Sequence, residues 1–143
     1  MSSEEIRVPG WPAPRGYANG RTGHGRPLHV AGQIGWDEHG KLVSAELAPQ
    51  FIQAIDNVIA VVRAAGGVPA DIAAMTAFVT DVAAYRSAAR DLGPAWRARF
   101  GRHFPAMTLV GVTALVEPGA MIEVQATAYV ADPGGPGGPG GAR

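Results

Sequence analysis

The chain has 143 residues, of which 47% are hydrophobic and 17% are charged. This length and composition predict a folded protein with one domain and its own core, and they exclude an intrinsically disordered chain. Twelve basic residues balance twelve acidic ones, which argues against a dedicated nucleic-acid or membrane-surface protein. The chain has no cysteine, which excludes disulfides, thiolate nucleophiles and cysteine-bound zinc.

The two ends of the chain differ in composition from the part between them. The N-terminus, MSSEEIRVPGW, lacks the apolar segment of a signal peptide, and no apolar run in the chain reaches the ~18 residues of a membrane span. We therefore expect a cytoplasmic protein. Residues 1–13 are predicted to form a loosely held extension. Residues 132–143 contain three Pro-Gly-Gly triplets and predict a flexible tail, which leaves one folded unit over residues 14–131.

The folded unit is predicted to begin with a β-hairpin and a long helix. Residues 26–36 form the first strand, DEHG the turn and KLVS the short partner. The helix covers residues 44–67, with Ser44 as its N-cap and Gly66-Gly67 at its end. Its apolar stripe at helical spacing comprises Leu47, Phe51, Ile55, Val58, Ile59 and Val62.

Residues 81–100 predict the second helix, with Asp81 as its N-cap. Gly93-Pro94 inside this segment is expected to kink or split the helix. The predicted inner side comprises Tyr85, Ala89, Leu92, Trp96 and Phe100.

Three further strands are predicted over residues 72–81, 107–115 and 121–130. In the last strand, apolar residues at even positions alternate with Glu123, Gln125, Thr127 and Tyr129. This order of elements predicts an α+β fold in which two helices cover one face of a sheet. Because apolar residues occur at both odd and even positions of the strands, we expect the other face to be buried in a homo-oligomer.

Several segments together resemble the RidA/YjgF family of reactive-intermediate deaminases, over roughly residues 14–130. The segments are GYANG, VAGQIGWDEHGKLV, QFIQAIDNVIAVVRAAGG, IAAMTAFVTD, FPAMTLVGV and IEVQATAYV. The resemblance implies a chorismate-mutase-like fold with a mixed sheet, assembled as a homotrimer with a small-molecule pocket at each cleft between subunits. It also implies hydrolysis of reactive enamines and imines to a keto acid and ammonia, with no cofactor.

The sequence departs from the family pattern after the Phe-Pro-Ala turn. In the deaminases an arginine at this position holds the substrate carboxylate by a two-point ion pair, and the matching residue here is Met107. A thioether cannot form such a pair. Leu109 stands where the family often has a cysteine. The resemblance therefore implies an apolar substrate-binding pocket and argues against hydrolysis of 2-imino acids. His103 is close to the turn, but a surface histidine is the favoured interpretation.

Two residues match catalytic positions of the family. Glu123 matches a glutamate that positions or activates the attacking water, and the alternation of its strand points it away from the core. Near Met107 and Leu109 its carboxylate would be partly desolvated, which suits general acid–base catalysis; the alternative is a solvent-facing glutamate. Tyr17 matches a tyrosine that lines the cleft, where it would stack on the ligand or donate a hydrogen bond; the alternative is interface packing.

Three residues near the end of the first strand complete the predicted substrate-binding set. Ala31 and Gly32 match a strand end whose backbone approaches the ligand. Gly32 permits a close approach, although a bulge or turn would also explain a glycine here. Trp36 either covers the pocket or anchors the subunit interface.

Other functions are disfavoured by the residue pattern. The second helix has a basic face, but no exposed aromatics are interleaved with it as in RNA-binding proteins, so a solvated surface is favoured over a ribonuclease. The basic residues are Arg86, Arg90, Arg97, Arg99 and Arg102. Asp37, Glu38 and His39 share one turn and rarely would converge on a metal ion, so no metal site is predicted. The remaining alternatives are a cofactor-free enzyme that uses Glu123 and a non-catalytic trimeric protein that binds a small molecule.

Overall fold

A four-stranded mixed sheet forms the centre of the computed structural model, which describes residues 3–133. The predicted tail lies outside the described residues from residue 134 onward. In chain order the elements are β1 (Ser3–Ile6), β2 (Gly20–Gly23), β3 (Arg26–Gln33), α1 (Leu47–Ala64), a 3-10 helix (Pro69–Asp71), β4 (Ile72–Val79), α2 (Val82–Phe100), β5 (Ala106–Gly111) and β6 (Ile122–Val130).

The strand order in the central sheet is β3-β6-β4-β5. The strand β6 pairs antiparallel with both β3 and β4, whereas β5 pairs parallel with β4. The helix α2 makes the crossover between the two parallel strands, which a parallel pair requires. As a result β5 is the edge strand of the central sheet. At the start of β5, Ala106 also forms an isolated parallel bridge with Ala18.

The helix α1 packs its predicted apolar stripe into the core. All six predicted stripe residues are buried. The N-cap is Glu46, so the prediction of Ser44 was wrong; the Ser44 hydroxyl instead accepts a hydrogen bond from the Glu46 N–H outside the helix. Gly66 has a φ of 90° and ends the helix as predicted, because this backbone conformation is strained for other residues.

The helix α2 runs without a break through Pro94, so the predicted split does not occur. The Asp81 carboxylate accepts a hydrogen bond from the Ala84 N–H, which confirms the predicted N-cap. Tyr85, Leu92 and Trp96 pack against the core as predicted. Ala89 is on the same side of the helix, but it is exposed and does not belong to the packed core.

The N-terminal segment is more ordered than the sequence predicted. The strand β1 pairs antiparallel with β2. Ser3 is buried and its hydroxyl donates to the Ala70 carbonyl, while the Arg21 guanidinium donates to Ser3 and to the Phe104 carbonyl. A short strand of this kind carries almost no apolar signal, and the pairing depends on a contact between distant parts of the chain.

The sheet has two faces of different character. The covered face packs against α1 and α2 and carries Val30, Met75, Ala77, Val79, Val124 and Ala126, all of them buried. The bare face carries His29, Thr76, Phe78, Thr108, Glu123, Gln125 and Thr127. The alternation predicted for β6 is confirmed. The bare face combines these polar side chains with apolar ones such as Ala74, Phe78 and Val110, so apolar residues occur on both faces as predicted, although the buried ones lie on the covered face.

Candidate functional site

The Glu123 carboxylate lies on the bare face beside the bulge in β3. The register of β3 and β6 shifts between Val30 and Gln33, and Gly32 lies in this shift. A Cβ atom added to Gly32 would lie 2.2 Å from Glu123 Oε1. The close approach predicted for Gly32 is therefore an approach to the candidate catalytic carboxylate, which only glycine permits without moving the carboxylate.

The surroundings of Glu123 leave its carboxylate available to a ligand. The residue is half-buried, and Phe78 is its neighbour on β4. Within residues 3–133 no hydrogen bond or ion pair engages its carboxylate oxygens. A carboxylate with free acceptor positions can take a proton from water or bind a donor on a ligand.

Met107 and Leu109 lie on the opposite face of the same sheet. Met107 pairs with Met75 and Leu109 with Ala77, and both partners face the helices. Because successive side chains in a strand alternate between faces, these residues cannot surround Glu123 of their own chain. The predicted desolvation of that carboxylate by Met107 and Leu109 would therefore have to come from the copies of these residues in a neighbouring protomer.

Tyr17 lies at the edge of the sheet, next to the start of β5. The neighbouring Ala18 bridges to Ala106, and its N–H donates to the Pro105 carbonyl. The side chain of Tyr17 is 43% exposed. This places Tyr17 at the same edge as Met107 rather than beside Glu123.

The other two predicted binding residues lie near the end of β3. Ala31 is exposed and its carbonyl accepts a hydrogen bond from the Gln33 side chain. Trp36 is 37% exposed and forms an isolated antiparallel bridge with Leu42. Backbone hydrogen bonds from the Asp37 N–H to the Lys41 carbonyl and from the Val43 N–H to the Gly35 carbonyl flank this bridge, so the predicted hairpin is present but short. The structure brings Gly32 close to Glu123.

An apolar cavity, not predicted from the sequence, lies between α1, α2 and β5 on the covered face. Its volume is about 200 Å³, and Met107 forms part of its wall together with Phe51, Tyr85, Leu92, Trp96 and Phe104. Gly16, which precedes Tyr17, also lines it. The signal in the sequence is a set of small residues on α2, namely Ala89, Gly93 and Ala95, which leave space between the helices and the sheet.

One cation borders the apolar cavity and is already paired. The Arg99 guanidinium donates through Nε and Nη2 to the two carboxylate oxygens of Asp56, and through Nη1 to the Ala95 carbonyl. The hydrogen bond from Asp56 raises the pKa of Arg99 above its ordinary value. This pairing removes Arg99 from the basic face predicted on α2, where Arg86, Arg90 and Arg97 are exposed.

His103 and the turn that follows β3 have structural roles in the described chain. His103 is half-buried, with Nε2 2.7 Å from the Ile72 carbonyl, so the prediction of a surface histidine was wrong. The Asp37 carboxylate accepts from the N–H groups of His39 and Lys41, and these bonds lower the pKa of Asp37. Over residues 3–133 no three metal-ligating side chains cluster.

Two buried or half-buried amides, which the sequence analysis missed, hold the loops around the start of β6. Gln50 is fully buried, donates to the carbonyls of Ser44 and Gly119, and accepts from the Met121 N–H. Asn57 donates to the carbonyls of Ile34 and Trp36. The sequence indicates both amides, because each is a polar residue on the inner side of an otherwise apolar helix. A buried polar side chain requires hydrogen-bond partners inside the protein.

A family model described as Endoribonuclease L-PSP matches residues 12–130. The human 2-iminobutanoate/2-iminopropanoate deaminase is 30% identical over 104 residues, which are 72% of this chain and 72% of the human protein.

Solved structures of similar proteins have the same fold. YyfB of Yersinia pestis, a Rid family protein of unknown function, is 31% identical, with a TM-score of 0.78 over 91% of this chain and all of YyfB. The YjgF gene product of E. coli is 33% identical, with a TM-score of 0.62 over 88% of this chain and 98% of that one. These likenesses confirm the predicted chorismate-mutase-like α+β fold. No helix among the described residues is both long and apolar enough to cross a membrane.

Proposed function

Since the chain belongs to the Endoribonuclease L-PSP family, which is the RidA/YjgF family, we propose that it is a cofactor-free hydrolase of a small reactive enamine or imine. The reaction takes place in a cleft between the subunits of a homotrimer. The observation that carries this proposal is the half-buried carboxylate of Glu123 beside Gly32, which has no hydrogen-bond or ion-pair partner within residues 3–133.

Imine hydrolysis needs proton transfers that one carboxylate can make. Glu123 accepts a proton from water as the water oxygen bonds to the imine carbon. The same proton is then delivered to the nitrogen, which gives a carbinolamine. Glu123 next moves the hydroxyl proton of the carbinolamine to the nitrogen as the carbon–nitrogen bond breaks, and a carbonyl compound and ammonia leave. The net reaction consumes one water and requires no oxidant or reductant. A positioned general acid–base group contributes typically 10²–10⁴-fold to such a rate.

The two faces of the sheet explain why the cleft requires two protomers. Tyr17 and Met107 lie at the β5 edge, whereas Glu123 and Gly32 lie on the bare face. One chain therefore supplies Tyr17 and Met107 to each cleft, and a neighbouring copy supplies Glu123. This arrangement also covers part of the bare face in the assembly.

Met107 directs the substrate away from the 2-imino acids. The human relative is named for 2-imino acids, whose carboxylate needs a cation or several donors. Met107 offers neither, and the nearby Arg99 is already bound to Asp56. The proposed substrate therefore has no carboxylate.

The decisive experiment uses Glu123→Gln, which keeps the shape of the side chain and removes its proton-accepting oxygen. A panel of imines generated in solution is followed by ammonia release, with light scattering to establish the oligomeric state. We expect at least a roughly 100-fold loss of the turnover rate with an unchanged trimer. Unchanged turnover would leave a non-catalytic trimeric protein that binds a small molecule, and a monomer at micromolar concentration would exclude the shared cleft.

Mixed trimers test whether the cleft is shared. Met107→Trp blocks one side of the cleft and Glu123→Gln disables the other, so each variant alone is inactive. In an equal mixture of refolded subunits, roughly a quarter of the clefts would combine two intact sides. Recovery of activity supports the shared cleft; no recovery would place both functions within one protomer.

A further inference from the structure

The apolar cavity has the size of one hydrocarbon group. Its volume is about 200 Å³, slightly above the ~150 Å³ of an engineered apolar cavity that binds benzene. Pockets that enclose a whole drug-sized ligand are larger, at ~300–1,000 Å³. The cavity therefore fits a phenyl or branched alkyl group and not a complete larger metabolite.

The walls of the cavity favour an uncharged, apolar occupant. Phe51, Tyr85, Trp96 and Phe104 contribute rings, and Met107 contributes a polarisable thioether, which packs well against aromatic groups. The one cation at its border, Arg99, already has a carboxylate partner. A charged group in this cavity would lose its hydration without gaining a free counter-charge.

The cavity reaches the side of the protein where the cleft is proposed. Gly16 lines the cavity, and the next residue, Tyr17, is partly exposed at the sheet edge. Met107 belongs to both the cavity wall and the β5 edge. An apolar group in the cavity would thus leave the polar end of the molecule at this edge.

We propose that the apolar cavity is the specificity subsite for the substrate and holds an aryl or branched alkyl substituent. The substrates are then neutral imines or enamines that carry such a substituent. The assignment of this group to a substrate rests on the proposed function. The binding of the group itself does not, which allows the two to be tested separately.

The binding test uses the full chain with ¹³C-labelled methionine methyl groups and toluene as the probe. Toluene in the cavity shifts the Met107 methyl resonance by ring currents, with saturation at a Kd of about 1 mM or tighter. Met121 lies outside the cavity and serves as the internal control. The variant Met107→Leu assigns the Met107 resonance. No saturable shift at Met107, or equal shifts at both methyl groups, would overturn the proposal.

A matched pair of variants tests the location of the binding. Ala95 lines the cavity and Ala98 lies exposed on the same helix outside it. Ala95→Leu fills part of the cavity and should weaken toluene binding roughly tenfold or more, whereas Ala98→Leu should leave it unchanged. Equal affinity in the two variants would place the binding elsewhere.

The substrate arm compares the imines of acetophenone and acetone, which differ by one phenyl group in place of a methyl group. We expect kcat/KM to be at least roughly tenfold higher for the acetophenone imine, with the advantage lost in Ala95→Leu and kept in Ala98→Leu. If toluene binds but neither imine is hydrolysed, the proposed function fails and the apolar site stands. If both imines are hydrolysed equally, the specificity proposal fails and the proposed function stands.

Discussion

The covered and bare faces of the central sheet are made from the same strands and differ in burial and in polarity. On β4, Met75 and Ala77 are buried under the helices, while Thr76 and Phe78, which alternate with them, lie on the bare face. The covered face includes the apolar cavity under Met107, and the bare face carries the Glu123 carboxylate. A site that needs both the apolar cavity and the acid–base group therefore cannot be completed within one chain.

Met107→Arg should produce the largest change. An arginine here restores a two-point partner for a carboxylate, worth about 3 kcal/mol, or roughly 100-fold in rate. With 2-iminopropionate generated by an amino-acid oxidase, the wild-type protein should barely exceed the spontaneous rate and the variant should exceed it clearly. Met107→Gln, which is of similar length but neutral, is the control. A fast wild-type protein would show that another cation, such as Arg15 or Arg99, holds the carboxylate.

Gln50→Leu should destabilise the covered side of the protein strongly. The change leaves the carbonyls of Ser44 and Gly119 and the N–H of Met121 without their partner, at a cost of about 2–4 kcal/mol. Urea unfolding at one fixed protein concentration measures this loss in the free energy of unfolding. Gln125→Leu on the bare face is the matched control and should stay within about 0.5 kcal/mol. A comparable loss in the control would mean that Gln125 also has essential buried partners.

Gly32→Ala should impair turnover more than stability. The new Cβ would displace the Glu123 carboxylate, which can rotate away, so we expect roughly a tenfold loss of kcat with little change in the melting temperature. Gly35→Ala is the control. Its new Cβ atom would lie 2.5 Å from the Gln50 Cα atom, and a backbone atom cannot relieve the clash by side-chain rotation. That variant should lose stability instead. Similar effects of both changes would argue that Gly32 has only a structural role.

His103 should contribute the smallest effect, a decline of stability in mild acid. Burial lowers the pKa of His103, the nearby Arg21 lowers it further, and the bond to the Ile72 carbonyl together with Asp71 opposes both. The folded protein thus favours the neutral form of His103. This preference contributes fully to the free energy of unfolding above the unfolded pKa of ~6.5, and the contribution is lost as the pH falls below that value. Melting temperatures between pH 5 and 8 should show a weaker decline in His103→Gln. The exposed His29→Gln should retain the wild-type decline.

Local patterns were sufficient to predict most of the elements. The stripe from Leu47 to Val62 and the alternation around Glu123 depend on residues close in sequence, and both are confirmed. The N-cap at Glu46 and the unbroken α2 were predicted incorrectly, because packing of the whole helix outweighs the local preferences of Ser44 and Pro94. The pairing of β1 with β2 escaped prediction because short polar strands have little periodic signal.

The sequence by itself determined the fold class, the family and the absence of an arginine at residue 107, since these follow from periodicity and motifs along the chain. The tertiary structure alone decided which face each candidate residue occupies relative to the others. The strand order β3-β6-β4-β5 puts Met107 under the helices and Glu123 on the bare face. It also forms the cavity between α1, α2 and β5. Both results arise from contacts between segments far apart in sequence, which no local pattern encodes.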